Sequence, residues 1–397
     1  IYNVKKLHYI LQKKYKGGII ILGVKLMLKK FIVKNFKNFK EKLVLDFSKV
    51  RDYEFNQNLI KNGLVNKMLI YGPNNSGKSN LGAAVMDITT HLTDNYGTDN
   101  LIYAYYLNGD FVDDVVEFKY EFLFNNREIT YSYKKNGQMK LLSEELKESD
   151  KLLFKYNYNN NNYENNIPEA QTIVIPKKEQ IAHSISMSVL KYIFANTLVW
   201  PEDSAVKLLM DFVNNMLWFR SLKYNEFMGV MPNSEDLHDY IINNRLLSDF
   251  QSFLKQCGQE YNLCEIHEGG KSVIGVRYKN YKARFNLVAS TGTQSLWLFY
   301  YWMNRMKTIS FVFLDEFDAF YHFELSAFIL KYINSKDSFQ SVLTSHNTFL
   351  IDNELMRPDC YSILKNGKIT SFADSTTKTI RQAHNLEKMM LGGEFEK

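Results

Sequence analysis

Apolar and polar residues alternate from Leu28 to Phe36 and again from Lys42 to Phe47, the period-two pattern of strands with one buried face. Lys67 to Tyr71 is a short apolar run leading into Gly72-Pro73, which predicts a buried strand entering a turn. After Lys78 the pattern turns helical through Leu92. Val115 to Tyr133 holds two alternating runs around Asn125-Asn126, a hairpin or meander. Residues 155–166 are polar and low in complexity; they bury too little to offset the entropy of ordering, so a mobile loop is expected there. From Glu179 to about Gln256 the pattern is mostly helical, and Lys271 to Val288 reads as a hairpin turning near Lys279-Asn280. A helix from Thr293 to Met306, a buried strand from Ile309 to Leu314, a helix from Phe323 to Asn334 and a strand from Phe339 to Thr344 follow. Cys360 to Phe372 is a hairpin on Asn366-Gly367, a strong type I′ signal, and a helix from Lys378 to Met390 closes the chain. No internal repeat and no sustained heptad is present.

Composition narrows the class. The 397 residues are 45% hydrophobic and 23% charged, which excludes wholesale disorder and leaves room for two or three domains. The longest apolar run, Ile19 to Val24, is far short of the roughly 20 residues a membrane span needs, so no membrane partner is expected. Three cysteines without a CxxC pair argue against a disulfide framework or a zinc site and fit a reducing, cytoplasmic setting.

The formal charge of +6 is carried by one end: residues 1–50 hold thirteen Lys against Glu41 and Asp46. Residues 1–26 contain six Lys and no acid, and Met27 opens the first clean strand pattern. This segment is expected to stand outside the fold, either as translated upstream sequence or as a basic arm. Without it the global charge no longer argues for nucleic acid.

Gly72-Pro73-Asn74-Asn75-Ser76-Gly77-Lys78-Ser79 fits G-x-x-x-x-G-K-[ST], between a predicted buried strand and a predicted helix. The glycines let backbone N–H groups point at phosphate oxygens, Lys78 brings a point charge to the β- and γ-phosphates, and the Ser79 hydroxyl coordinates Mg²⁺. Phe311 to Leu314 followed by Asp315-Glu316 is an apolar strand ending in two acids. Asp315 then holds Mg²⁺ through water, and Glu316 is the group that orients or deprotonates the attacking water. Ser290-Thr291-Gly292-Thr293-Gln294 opens a helix, where small hydroxyl residues make either an N-cap or an anion site. Thr344-Ser345-His346 follows the strand after the acids, and places an imidazole where it can reach a γ-phosphate.

The order of these parts resembles the ABC-type ATPases of the SMC, RecF and OLD group. The opening Lys34-Asn35-Phe36-Lys37-Asn38-Phe39, the loop through Asn80, and Asp315-Glu316-Phe317-Asp318-Ala319 are similar to that group's first strand, Walker A, and Walker B with D-loop. Ser345-His346-Asn347 through Arg357-Pro358-Asp359 looks most like stand-alone AAA-family ATPases of abortive infection, the AbiLi-like branch. The resemblance implies an α/β P-loop NTPase: an ABC-type ATPase head with a mixed β-sheet lobe and a helical insertion lobe. Its division would be 27–140 and 289–397 for the ATPase lobe and 141–288 for the insertion. It also implies that ATP and Mg²⁺ are bound by residues 72–80 with Asp315, and that Glu316, His346 and Lys78 are catalytic. Ser290, Gly292, Gln294 and Asp318 would contact nucleotide across an ATP-dependent homodimer. Gln171 is a candidate for the Q-loop glutamine. SMC-type coiled-coil arms and the TOPRIM nuclease of OLD proteins have no counterpart in the chain. The implied role is a sensor or switch subunit in antiphage defence. Because no second catalytic constellation is legible, a separate effector protein is expected. A RecF-like ATPase clamping DNA and a nucleotide-gated scaffold without turnover are the alternatives.

Overall fold

The computed structural model describes residues 26–93, 104–175, 177, 187–221, 226–229, 237–305, 308–319 and 321–395. Residues 1–25 of the basic extension, and the stretch from Glu179 to Ser186, lie outside them. Leu26, placed in the extension by sequence, already pairs with Phe124. In chain order come β1 (Leu26–Lys34), β2 (Leu43–Asp46), β3 (Ile60–Lys61), β4 (Leu64–Val65) and β5 (Lys67–Tyr71), then α1 (Lys78–Met86) and α2 (Thr89–Leu92). A meander follows: β6 (Val116–Phe124), β7 (Arg127–Lys135), β8 (Leu141–Glu148), β9 (Lys151–Asn157) and β10 (Asn162–Asn165). The middle holds α3 (Val189–Asn196), α4 (Ala205–Asn214), β11 (Met216–Ser221), β12 (Glu226–Gly229), α5 (Leu237–Asn243) and α6 (Leu247–Gln256). Then come β13 (Leu263–Glu268), β14 (Lys271–Arg277), β15 (Lys282–Arg284), α7 (Phe285–Val288), α8 (Thr291–Arg305), β16 (Phe311–Leu314), α9 (Phe323–Asn334) and β17 (Gln340–Ser345). The chain ends with β18 (Tyr361–Lys365), β19 (Lys368–Ser371), α10 (Phe372–Ser375) and α11 (Leu386–Leu391).

Two seven-stranded sheets carry the architecture. The first, in order β10-β9-β8-β7-β6-β1-β2, is antiparallel throughout. Its inner face buries Tyr120, Phe122, Phe124, Ile129, Tyr131 and Tyr133. The other face carries cross-strand ion pairs such as Lys134–Glu117 at 2.7 Å, the pattern of a sheet with one side in water. The meander turns on Asn125 and Asn126, both at positive φ (52° and 65°), as a two-residue type I′ turn requires. The second sheet runs β12-β11-β16-β17-β5-β18-β19, with five parallel strands inside antiparallel edges. Its strands β16 and β17 are buried at every residue, as expected of parallel strands covered on both faces.

α1 and α4 lie between the sheets. Tyr120 Oη donates to the carbonyls of Ala84 and Val85 at 3.1 Å, and Phe122 meets Phe212 edge to face at 5.1 Å. At the foot of α1 the fully buried Asp87 accepts from Lys135 Nζ at 2.5 Å and from Tyr106 Oη at 2.6 Å. A carboxylate at a helix C-terminus opposes the macrodipole, so this paired ammonium is what makes its burial tolerable.

Four expectations are corrected. Residues 155–166 are not a loop: most of them form the β9–β10 hairpin, whose asparagines bond the local backbone, as Asn157 does to Asn159 N–H. The division at 140/141 falls between β7 and β8, neighbours in one sheet, so 141–165 extend that sheet rather than start a helical lobe. Within the stretch read as helical, β11 is a strand, parallel to β16 in the second sheet. The closing helix is also shorter than expected, reduced to Leu386–Leu391.

Candidate functional site

The loop after β5 is built by close approach. Gly72 is buried, and a Cβ there would stand 2.5 Å from Ser76 Oγ. Gly77 has φ +100°, and a Cβ there would stand 2.3 Å from Asn38 Nδ2; Asn75 also has positive φ, at 65°. The loop therefore demands glycine at both ends. It delivers the chain into α1, whose first bond runs from Leu81 N–H to the Gly77 carbonyl, leaving the preceding amides without helical partners and facing the loop. Lys78, its side chain 3% exposed, donates to the carbonyls of Gly72 (2.8 Å) and Pro73 (3.1 Å) and lies 3.8 Å from Glu316 Oε1. Pro73, Asn74, Asn75 and Ser79 are exposed.

Strand order places the acids. β17 lies between β5 and β16, so its C-terminal residues touch the P-loop on one side and the acids on the other. The Ser345 carbonyl accepts from Gly72 N–H at 3.3 Å. Thr344 Oγ1 donates to Asp315 Oδ1 at 2.7 Å and accepts from Glu316 N–H at 2.8 Å. Burial raises the Asp315 carboxyl above its ordinary range, against the bonds it receives from Ser79 and Thr344. Glu316 takes the left-handed conformation, φ 43°, uncommon for a residue with a Cβ. Asp318 is also buried, accepts from Ser345 Oγ at 2.7 Å and is raised by that burial; His346 beside it is exposed. The Asp318 carboxylate thus faces its own chain at the C-terminal end of β17.

Lys78, Ser79, Asp315, Glu316 and Ser345 are therefore gathered at one end of the parallel strands. Ser79 with Asp315 is an oxygen-only donor set of the kind that hard Mg²⁺ takes. Ser290, Gly292 and Gln294 are elsewhere: Ser290 Oγ accepts from Thr293 N–H at 3.2 Å, and Gln294 Nε2 donates to the Asn286 and Ala289 carbonyls at 3.0 and 3.1 Å. Ser290 is an N-cap and stays exposed, so it keeps the surface position an anion site needs. Gln171 Nε2 bonds the carbonyls of Asn165 and Ile167 in its own turn.

Two residues at the site have roles the motifs do not announce. Asn38, at the tip of the tight turn after β1, donates to the Ser76 carbonyl (3.4 Å) and accepts from Asn80 Nδ2 (2.7 Å), so the first sheet's loop braces the P-loop. Its only signal is the Lys37-Asn38 stretch of the opening strand. Thr344 is the second; nothing in the chain marks a strand residue two before a histidine as a partner of two acids.

Among solved structures the chain is similar to the SMC head domain from Thermotoga maritima (16% identity, 87% of this chain and 97% of that one, TM-score 0.40). It is also similar to the Smc head with an extended coiled coil bound to the C-terminal domain of ScpA derived from Pyrococcus furiosus (11%, 94% and 100%, TM-score 0.46). A third is the recombination mediator protein RecF with ATP (13%, 88% and 99%, TM-score 0.39). A comparison with curated proteins returned no match. A family model described as "AAA domain, putative AbiEii toxin, Type IV TA system" matches residues 67–352, from the strand before the P-loop to beyond His346. With that span and this α/β P-loop fold, the chain belongs to that family of AAA domains.

Proposed function

We propose that the protein binds ATP with Mg²⁺, dimerises on it and hydrolyses it, acting as the sensor or switch subunit of an antiphage system beside a separate effector. The observation that carries the enzymatic part is the convergence of Lys78, Ser79, Asp315 and Glu316 beyond the C-terminal ends of β5 and β16, the parallel strands on either side of β17. In this reading Lys78 exchanges its loop carbonyls for phosphate oxygens, and the glycine-shaped loop lets amides of residues 74–80 bind the phosphate chain. Ser79 and Asp315 hold Mg²⁺, which neutralises charge developing on the phosphates. Glu316 accepts a proton from the attacking water, and the exposed His346 reaches the γ-phosphate. Ser290, Gly292 and Gln294 face the partner subunit's nucleotide; among the described residues, the side chains of Ser290 and Gln294 bond α8 and the residues just before it. Asp318 acts through Ser345 by fixing the end of β17, from which His346 follows.

The test is Glu316→Gln. The amide cannot take the proton, so nucleotide binding should survive while turnover stops, leaving an ATP-trapped dimer on size exclusion with Mg²⁺. Wild-type turnover in that variant would remove Glu316 from the reaction. The effector half of the proposal is checked by co-purification with products of neighbouring genes.

One observation favours the DNA-clamping alternative. No acidic residue occurs between Glu268 and Asp315, while seven Lys and Arg do. Arg277 stands directly across from Lys282 on the β14–β15 hairpin. Like charges directly opposite are destabilising without an anion between them. Tyr278 and Tyr281 stack at the same tip, 4.9 Å apart, with 41% and 62% of their surface exposed. Salt-dependent binding of oligonucleotides that is lost in Arg277→Glu/Lys282→Glu would support this reading.

A further inference from the structure

We infer that Thr344 is a positioning residue for hydrolysis, one hydroxyl setting both the Asp315 carboxylate and the Glu316 backbone. The inference rests on the ATPase reading above and deepens it.

A hydroxyl has one proton. Glu316 N–H can only donate, so at 2.8 Å Thr344 Oγ1 must accept there. Its proton is then committed to Asp315 Oδ1, 2.7 Å away. The chain of bonds has a fixed direction, from Glu316 N–H through the hydroxyl to the carboxylate. Both ends matter to the site. Ser79 also acts on the Asp315 carboxyl, lowering it against burial, so a carboxylate swung off Thr344 is swung off the metal donor set. Glu316 occupies a left-handed conformation that L-residues enter only at a cost, and the surroundings must hold it there. Thr344 grips it twice: the side chain takes Glu316 N–H, and the Thr344 carbonyl takes the next amide, Phe317 N–H, at 3.3 Å.

The left-handed residue has a geometric purpose. In a continuing strand, consecutive side chains point to opposite faces. Asp315 and Glu316 would then diverge, yet Asp315 meets Ser79 and Glu316 approaches Lys78, consecutive residues at the start of α1. The backbone turn at 316 brings both acids to one side, and Thr344 is the residue bonded to it. Thr344 is fully buried in β17, between the P-loop strand and the acid strand, so no solvent molecule replaces its hydroxyl.

The test compares Thr344→Val, which keeps the shape and removes the hydroxyl, with Thr344→Ser, which keeps the hydroxyl, both in the full chain. Thr344→Val should lower kcat by roughly ten- to a hundredfold, the cost of orphaning a buried carboxylate and amide. KM for ATP should stay within about threefold, because the P-loop makes the phosphate contacts. The Mg²⁺ concentration that half-saturates binding of a fluorescent ATP analogue should rise several-fold, and Thr344→Ser should track wild type in all three. A Thr344→Val enzyme with kcat and Mg²⁺ half-saturation within twofold of wild type overturns the proposal. So does a Thr344→Ser enzyme as impaired as Thr344→Val. Should Thr344→Val fail to fold, Thr344→Ser against Thr344→Ala, differing by the hydroxyl alone, gives the same comparison. The Mg²⁺ arm needs no turnover, so a wild-type protein that binds but does not hydrolyse ATP would sink the ATPase reading and still test Thr344.

Discussion

Gly77→Ala probes how the P-loop is held. At φ +100° the residue lies outside the small left-handed well of L-residues, so alanine there costs at least the roughly 1–2 kcal/mol of that region. Its Cβ would also stand 2.3 Å from Asn38 Nδ2. That atom is the end of a side chain that can swing, at the loss of its bonds with Asn80 (2.7 Å) and the Ser76 carbonyl (3.4 Å), together about 1 kcal/mol. The loop escapes both costs by opening, so they should appear in nucleotide affinity rather than in melting temperature. The sum, about 2–3 kcal/mol, is a 30- to 150-fold rise in Kd. Titration with a fluorescent ATP analogue measures it in wild type, Gly77→Ala, Asn38→Ala and the double variant. Asn38→Ala removes the contact but not the backbone cost, so the double variant should bind no worse than Gly77→Ala, a coupling of about 1 kcal/mol. Binding by Gly77→Ala within twofold of wild type would refute the reasoning. Strict additivity in the double variant would refute the part assigned to Asn38.

Lys67, buried below Phe339 and donating to its carbonyl, has its ammonium pushed down to about 7 by burial, with its Nζ 3.9 Å from the ring centroid. The unfolded chain keeps that proton to about pH 10.4, so it binds more protons than the native state between those values, and stability should rise with pH across that window. Lys67→Met should flatten the rise; unfolding midpoints in urea at pH 7 and 9 that change as much in the variant as in wild type would contradict it. Lys78→Ala and Ser290→Arg should each abolish turnover alone, while a mixture regains part of it, because a heterodimer gathers both lesions in one site and leaves the other whole. Absence of recovery, with heterodimers demonstrated by native mass spectrometry, would count against a composite site.

Much of this was legible in the sequence where the signal is local. The turns at Asn125-Asn126 and Asn366-Gly367 rest on residues that tolerate positive φ, and both positions have it. The helix Phe323–Asn334 was legible because its apolar period is undisturbed and His322 caps it. Where one pattern runs into another, the reading failed. β11 follows α4 after Asn215 alone, and the apolar residues of Met216-Leu217-Trp218-Phe219 continue the helix's own run. β8 alternates, but its half-buried positions carry Glu and Lys, with Glu145 facing Lys155 of β9 (3.8 Å) and Glu148 bonded to Arg127 of β7 (2.5 Å), so composition hides the period. Glu144 in that strand is buried because it accepts from Tyr131, Tyr158 and Ser188 hydroxyls and the Val189 amide, partners the sequence scatters over sixty residues.

The site divides along the same line. Lys78 and Ser79, or Asp315 and Glu316, are neighbours in sequence, so their chemistry can be read as a motif. Thr344 and Asn38 act because of strand order and a loop crossing between sheets, and neither is written locally. The same strand order explains Lys78. An ammonium excluded from water is costly unless its protons are bonded, and here the loop's own carbonyls of Gly72 and Pro73 supply two acceptors. The desolvation cost of bringing Lys78 into the loop is therefore met during folding, before any phosphate arrives. Exchange of those carbonyls for phosphate oxygens keeps the hydrogen-bond count and adds full charge attraction in a partly dry site. The binding energy of this loop then comes less from Lys78 entering the site than from the replacement of neutral acceptors by anionic ones.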